Sequence, residues 1–136
     1  MCYNFSMAKF NEVMERERAK KLSPVVLAFV GDAAYSLYVR EGLVLSSDYK
    51  TGALQRLSSA RVSAKGQAAL FSEIEEKLTD EEREIFLRGR NAKKPTRSKN
   101  ASVAEYNVST GFEAVIGFLY LSGDYQRIDE LLADRS

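Results

Sequence analysis

The sequence predicts an all-α fold. Apolar residues recur three and four positions apart along most of the chain, and no stretch alternates with period two between turn residues. Ser23 and Pro24 add a capping hydroxyl and a first-turn proline immediately before a long apolar run. With 136 residues, 45% of them apolar and 29% charged, the chain is sized for one core, so a single domain over residues 1–136 is expected.

The elements follow in order. Between about Met7 and Lys21, Phe10, Val13 and Met14 alternate with charged residues, which predicts an amphipathic surface helix. The helix opened by Ser23-Pro24 is apolar nearly all round from Val25 to Val39, so it is expected at the centre of the core. Thr51 to Leu78 reads as one or two amphipathic helices with a break near Arg61 to Ser63. Thr79 followed by Glu82 three residues on is a capping box, predicting a short helix to about Arg88. The segment from Arg88 to Lys99 has Gly89, Asn91 and Pro95 and few apolar residues, and it is expected to be a loop. Helix resumes near Val103, is apolar almost all round from Ser109 to Leu121, and ends at Gly123-Asp124. Tyr125 to Ala133 completes the fold as an amphipathic helix.

Composition removes whole classes of chemistry. There is no histidine and a single cysteine, Cys2, which excludes intrachain disulfides, Cys/His zinc sites, Ser-His-Asp triads and histidine acid-base catalysis. A metal site would need oxygen ligands, favouring magnesium, manganese or calcium. The N-terminal residues lack a basic region leading into a long apolar core, and no unbroken apolar run approaches a membrane span, so a cytoplasmic location with a reduced Cys2 is expected.

The net charge of +1 conceals a segregation. Glu73 to Glu84 carries seven acids against two bases, whereas Arg88 to Lys99 holds six basic residues and no acid. In that basic window Arg88, Arg90, Lys93, Lys94, Arg97 and Lys99 are candidate phosphate contacts, and Asn91, Thr96, Ser98 and Asn100 can add hydrogen bonds to phosphate or sugar. Few aromatic residues interleave it, which favours a duplex backbone over stacked single-stranded bases. The alternative is a solvated turn that balances the acidic stretch before it.

Two acids stand in apolar surroundings. Asp32 is the only acid between Pro24 and Arg40, and Glu113 is the only charged residue between Val108 and Leu121. A carboxylate taken out of water needs a cation, hydrogen-bond donors or a wet cleft, and two that converge need something positive between them. Without histidine, a hard divalent cation suits that place and could hold a water for hydrolysis. The alternative is a buried ion pair with Arg61, Lys65 or Lys99. Gly31 and Gly117, near the acids, carry no side chain to hold neighbouring backbones apart. Tyr35 and Tyr38 read as core residues.

The segments LAFVGDAAYSLYVRE (Leu27 to Glu41) and STGFEAVIGFLYLSGD (Ser109 to Asp124) resemble the ribonuclease III catalytic domain, in particular its short Mini-ribonuclease III form. The resemblance extends through VSAKGQAAL (Val62 to Leu70) and RGRNAK (Arg88 to Lys93), followed by Lys99 and Asn100, and covers about residues 22–134. It implies a homodimeric α-helical domain, without a separate RNA-binding domain, that cleaves double-stranded RNA. Magnesium is the implied cofactor, with manganese as a substitute, and the products carry 5′-phosphate and 3′-hydroxyl ends. The implied role is maturation of the large-subunit (23S) ribosomal RNA precursor. The family's catalytic, metal-site Asp and Glu match Asp32 and Glu113. Two further acids of the full-length family fall at Ala28 and Thr110 here, which implies fewer protein ligands and more reliance on water and RNA phosphates. The competing reading is a non-catalytic RNA-binding or ribosome-assembly protein that uses the acids structurally.

Overall fold

The computed structural model describes residues 9–94 and 101–133, and within them the chain forms seven α-helices and no strand. In chain order these are α1 (Arg16–Lys20), α2 (Pro24–Ser46), α3 (Thr51–Val62), α4 (Ala64–Ile74), α5 (Asp80–Asn91), α6 (Val103–Leu121) and α7 (Tyr125–Leu132). A short 3-10 turn, Glu75–Lys77, follows α4. The all-α fold class is therefore as the periodicity predicts. None of the described helices is long and apolar enough to cross a membrane.

The helix starts are set by local chemistry. Ser23 Oγ accepts a hydrogen bond from the Val25 amide at the start of α2, and Ser63 Oγ accepts one from Gly66 at the start of α4. Thr79 and Glu82 form the expected reciprocal box on α5, with bonds of 3.1 and 2.9 Å. Ser102 and Glu105 repeat that box on α6. Gly123, at φ 75°, turns the chain out of α6 in a conformation that glycine adopts without a Cβ penalty. Asp124 then caps α7 through the Arg127 amide.

The centre of the molecule is α6. Phe112 and the run from Ala114 to Leu119 are buried, and α1, α2, α4, α5 and α7 all pack on it. Its crossing with α2 is made backbone to backbone. A Cβ added to Gly31 would lie 1.8 Å from the Glu113 carbonyl oxygen, and one added to Gly117 would lie 1.9 Å from that of Leu27. Beside this crossing Tyr35 is buried edge-on against the Phe112 ring, as expected of a core residue, while Tyr38 is half-buried. On the opposite side, Glu82 is 1% exposed and receives two hydrogen bonds from the Arg127 guanidinium, tying α5 to α7.

Three expectations are corrected. The first concerns the predicted helix from Met7 to Lys21: among the described residues only Arg16–Lys20 is helical. Asn11 has φ 63°, and the Met14 amide donates to the Leu121 carbonyl at 2.7 Å, so the preceding segment runs along the end of α6 with Phe10 and Val13 exposed. The second concerns α2, which is not surrounded by core. Leu27, Ala28, Gly31, Tyr35, Val39 and Leu43 are buried, whereas Val26, Phe29, Leu37, Val44 and Leu45 are exposed, Phe29 by 80%. One helix presents only one stripe to α6, and no other described helix covers the opposite one. The third concerns the basic window, whose first four residues, Arg88 to Asn91, are the last turn of α5 rather than loop. There Gly89 abuts Gly111 of α6, a tertiary contact, and within α5 the Arg90 guanidinium lies 5.9 Å from the ring centre of Phe86 one turn back, so both carry the helix onward.

The α2–α6 contact generates a stability prediction. Because a methyl at residue 117 meets backbone rather than a movable side chain, Gly117→Ala is expected to cost about 3 kcal/mol, at the upper end of ordinary overpacking. Urea unfolding followed by circular dichroism measures this, and an unchanged midpoint would contradict the close crossing.

Candidate active site

Asp32 and Glu113 meet where α2 crosses α6. Asp32 directly follows Gly31, and the oxygen that Gly31 abuts is the main-chain carbonyl of Glu113. The glycine contact thus sets the separation of the two acids, and the Asp32 carboxyl comes close enough to raise that of Glu113. Asp32 is exposed at the mouth of a cleft of about 380 Å³, while Glu113 is half-buried deeper within it. The cleft is also lined by Ala28, Phe29, Gln67, Lys94, Tyr106 and Thr110. No Arg or Lys among the described residues forms an ion pair with either acid. The buried-ion-pair alternative therefore finds no partner in Arg61 or Lys65, and Lys99 lies outside the described residues.

Burial pushes the Glu113 carboxyl up to about 8, and the hydrogen bond and negative charge of Asp32 push in the same direction, while a hydrogen bond from Gln67 opposes them. Glu113 so placed keeps its proton to a higher pH than an ordinary glutamate or yields it to a cation. The Gln67 side chain, on α4, is 1% exposed, and its Nε2 donates to Glu113 Oε2 at 3.1 Å and to the Val62 carbonyl at 3.1 Å. Sequence reasoning passed over Gln67. The available signal was a lone amide among small and apolar neighbours in VSAKGQAAL, at a position that helical spacing turns inward.

The basic window divides. Arg88 donates to the carbonyls of Lys20 and Leu22 at 2.9 and 3.0 Å, so its guanidinium fastens α5 to the approach to α2. Arg90 and Asn91 are exposed and hydrogen-bonded to each other at the end of α5, and Lys93 is exposed beyond them. Lys94 turns back into the acidic cleft, where its Nζ donates to the carbonyls of Arg90 and Ala92 at 2.8 and 2.7 Å. Burial lowers the Lys94 ammonium from its ordinary value. Thr96, Arg97, Ser98, Lys99 and Asn100 lie outside the described residues.

The Ribonuclease III domain pattern matches residues 25–124, so fold and site define a ribonuclease III domain. The chain is 41% identical to Mini-ribonuclease 3 of Thermoanaerobacter sp. over 89% of its own length and 85% of that protein. It is 45% identical to Mini-ribonuclease 3 of Staphylococcus aureus, covering 83% of this chain and 86% of the relative. A crystal structure of a Fusobacterium nucleatum protein superposes with TM-score 0.75 at 31% identity, covering 87% of this chain and 93% of that one. The chain belongs to the Mini-ribonuclease 3 branch of the ribonuclease III family and is an endoribonuclease.

The family implies a divalent metal, and the residues present fit one. Asp32 and Glu113 would supply two hard carboxylate ligands, and among the described residues no group of three His, Cys, Asp or Glu side chains converges. Ala28 and Thr110, where longer family members carry acids, are buried here, and the Thr110 hydroxyl is spent on the Tyr106 carbonyl at 3.0 Å. Two carboxylates, with water and phosphate completing the shell, is the usual protein contribution to a magnesium site. Such an ion, when bound, activates water and neutralises phosphate charge.

The raised Glu113 carboxyl makes the metal-free protein pH-sensitive. Glu113 has its pKa raised from 4.5 to about 8 by folding, so the folded chain keeps a proton that the unfolded chain releases. This contribution to stability is complete below pH 4.5 and is lost as pH rises toward 8. Thermal unfolding in EDTA is expected to register that loss in the native chain and not in Glu113→Gln, while saturating divalent metal reduces it. Parallel curves for the two proteins would contradict the raised carboxyl.

Proposed function

We propose that this chain is a magnesium-dependent endoribonuclease that hydrolyses double-stranded RNA to 5′-phosphate and 3′-hydroxyl ends, with manganese as a substitute metal. The observation that carries the reading is the Asp32–Glu113 pair, with no ion-paired side chain, in a cleft that Lys94 also lines. Asp32 and Glu113 hold the metal; Lys94 meets phosphate charge. Arg90, Asn91 and Lys93 extend the positive surface away from the cleft along the duplex backbone, and Arg97, Lys99 and Asn100 continue it in sequence. Arg88 contributes by holding this turn in place. The cellular substrate is the 23S ribosomal RNA precursor, and the location is cytoplasmic.

The enzyme works as a homodimer through the uncovered stripe of α2. Val26, Phe29, Leu37 and Val44 are exposed at three-, eight- and seven-residue intervals, which returns them to one side of the helix beside Asp32. An isologous contact there buries the stripe against its own copy and brings the two clefts onto one surface, one for each RNA strand.

Asp32→Asn removes one charged ligand while keeping the side-chain shape. It is expected to fold, to bind duplex RNA in EDTA with unchanged affinity, and to lose cleavage by about 10²-fold or more. Gel mapping of product ends with duplex and single-stranded RNA checks this, and wild-type cleavage by the variant would favour a non-catalytic role for the acids. In the same binding assay, Lys93→Ala with Lys94→Ala should flatten the slope of log affinity against log salt by about one for each phosphate that the variant no longer neutralises. Sedimentation of Phe29→Asp is expected to give a helical monomer, and an unaltered dimer would place the interface elsewhere.

A further inference from the structure

Gln67 combines features that a core-filling residue does not need. It is 1% exposed, yet it carries a neutral amide where an apolar side chain of similar volume would fill the space. Its Nε2 is divided between the last carbonyl of α3, Val62 O, and Glu113 Oε2. Its Oε1 is buried with no hydrogen-bond partner among the described residues. Flipping the amide would set an oxygen against two acceptors, so the hydrogen-bond pattern fixes which atom is which. A buried acceptor left unsatisfied costs stability, so the amide is a poor choice for stability alone.

The elbow that carries Gln67 is itself closely fitted. A Cβ on Gly66 would lie 2.2 Å from the Ala60 carbonyl oxygen, so α4 leaves α3 with backbone in contact, and Ser63 caps the new helix. Gln67 therefore reaches Glu113 from a rigid base, through Glu113 Oε2.

We propose that Gln67 is a positioning residue for the catalytic cation: its amide holds Glu113 Oε2 so that the other carboxylate oxygen, together with Asp32, faces the metal. The inference rests on the reading of this cleft as a metal-dependent nuclease site. Donors that orient ligating carboxylates commonly change metal affinity by about 10- to 100-fold when removed. The bond to Val62 is the structural part of the side chain's work, and the bond to Glu113 is the functional part.

The test is Gln67→Met, with Gln67→Leu as a second apolar replacement, each in the full chain. Calorimetric titration of the RNA-free protein with Mn²⁺ is expected to give affinity about 10- to 100-fold weaker in both variants. The metal concentration for half-maximal cleavage should rise by the same factor, with duplex RNA affinity in EDTA unchanged. Folded variants that bind Mn²⁺ as the native chain does overturn the proposal, including variants that only melt earlier. Should neither variant fold, the native chain decides: the Gln67 side-chain amide resonances must shift saturably with Mg²⁺, and no shift overturns the proposal. A native chain that neither binds Mn²⁺ nor cleaves RNA overturns the nuclease reading with it, whereas one that does both, beside equally competent variants, overturns the role of Gln67 alone.

Discussion

At the crossing of α2 and α6, Gly31 rests on the Glu113 carbonyl and Gly117 rests on that of Leu27, and the rest of the molecule is arranged around this contact. Side chains normally hold packed helices about 8–10 Å apart. With no Cβ at either position, main chain meets main chain, and the residues flanking the glycines are drawn together. One of them is Asp32, and the other partner in the contact is Glu113 itself. The spacing of the carboxyl pair is therefore a property of the helix crossing rather than of a loop, which gives the site the rigidity of the core.

That closeness has an electrostatic consequence. Cations elsewhere in the fold are committed: Arg16 and Lys20 pair with Glu81, Arg127 with Glu82, and Arg88 donates to main-chain carbonyls, while Lys94, in the cleft itself, donates to the carbonyls of Arg90 and Ala92. The acid pair is left with a glutamine amide and the open cleft. A proton and a bound metal would compete for the same oxygens, so the geometry that raises the Glu113 carboxyl is also one that would suit a hard cation. Thr110 and Ala28 are buried at positions where further acids could have added ligands, so a metal held there would take water and phosphate oxygens to complete its shell.

The same helix also links the site to the surface. One stripe of α2 is buried against α6, and the opposite stripe, with Phe29 next to the cleft, is open. The acid of the cleft and the open apolar stripe thus share a single rigid element. Across the cleft, Lys94 caps the end of α5 with its ammonium, and the positive surface begins where the helix stops. The helix's exposed carbonyls hold that ammonium in place, while its alkyl chain spans from helix end to cleft.

The sequence by itself determined the fold class, the starts of α2 and α5, the break between α3 and α4, and the identity of the two acids. These are local matters: periodicity, capping and the oddity of a charge in an apolar helix are all legible within a few residues. Only the tertiary structure decided that α2 has an open face, that the segment before Arg16 lies along α6 instead of coiling, and that Arg88 to Asn91 continue a helix. It also decided that Arg88 is a structural tie and that Gln67 reaches Glu113 across forty-six positions of sequence. Each of these depends on which surface another element covers. Burial and hydrogen-bond partners are properties of pairs of segments distant in the chain, and no window of sequence contains both members.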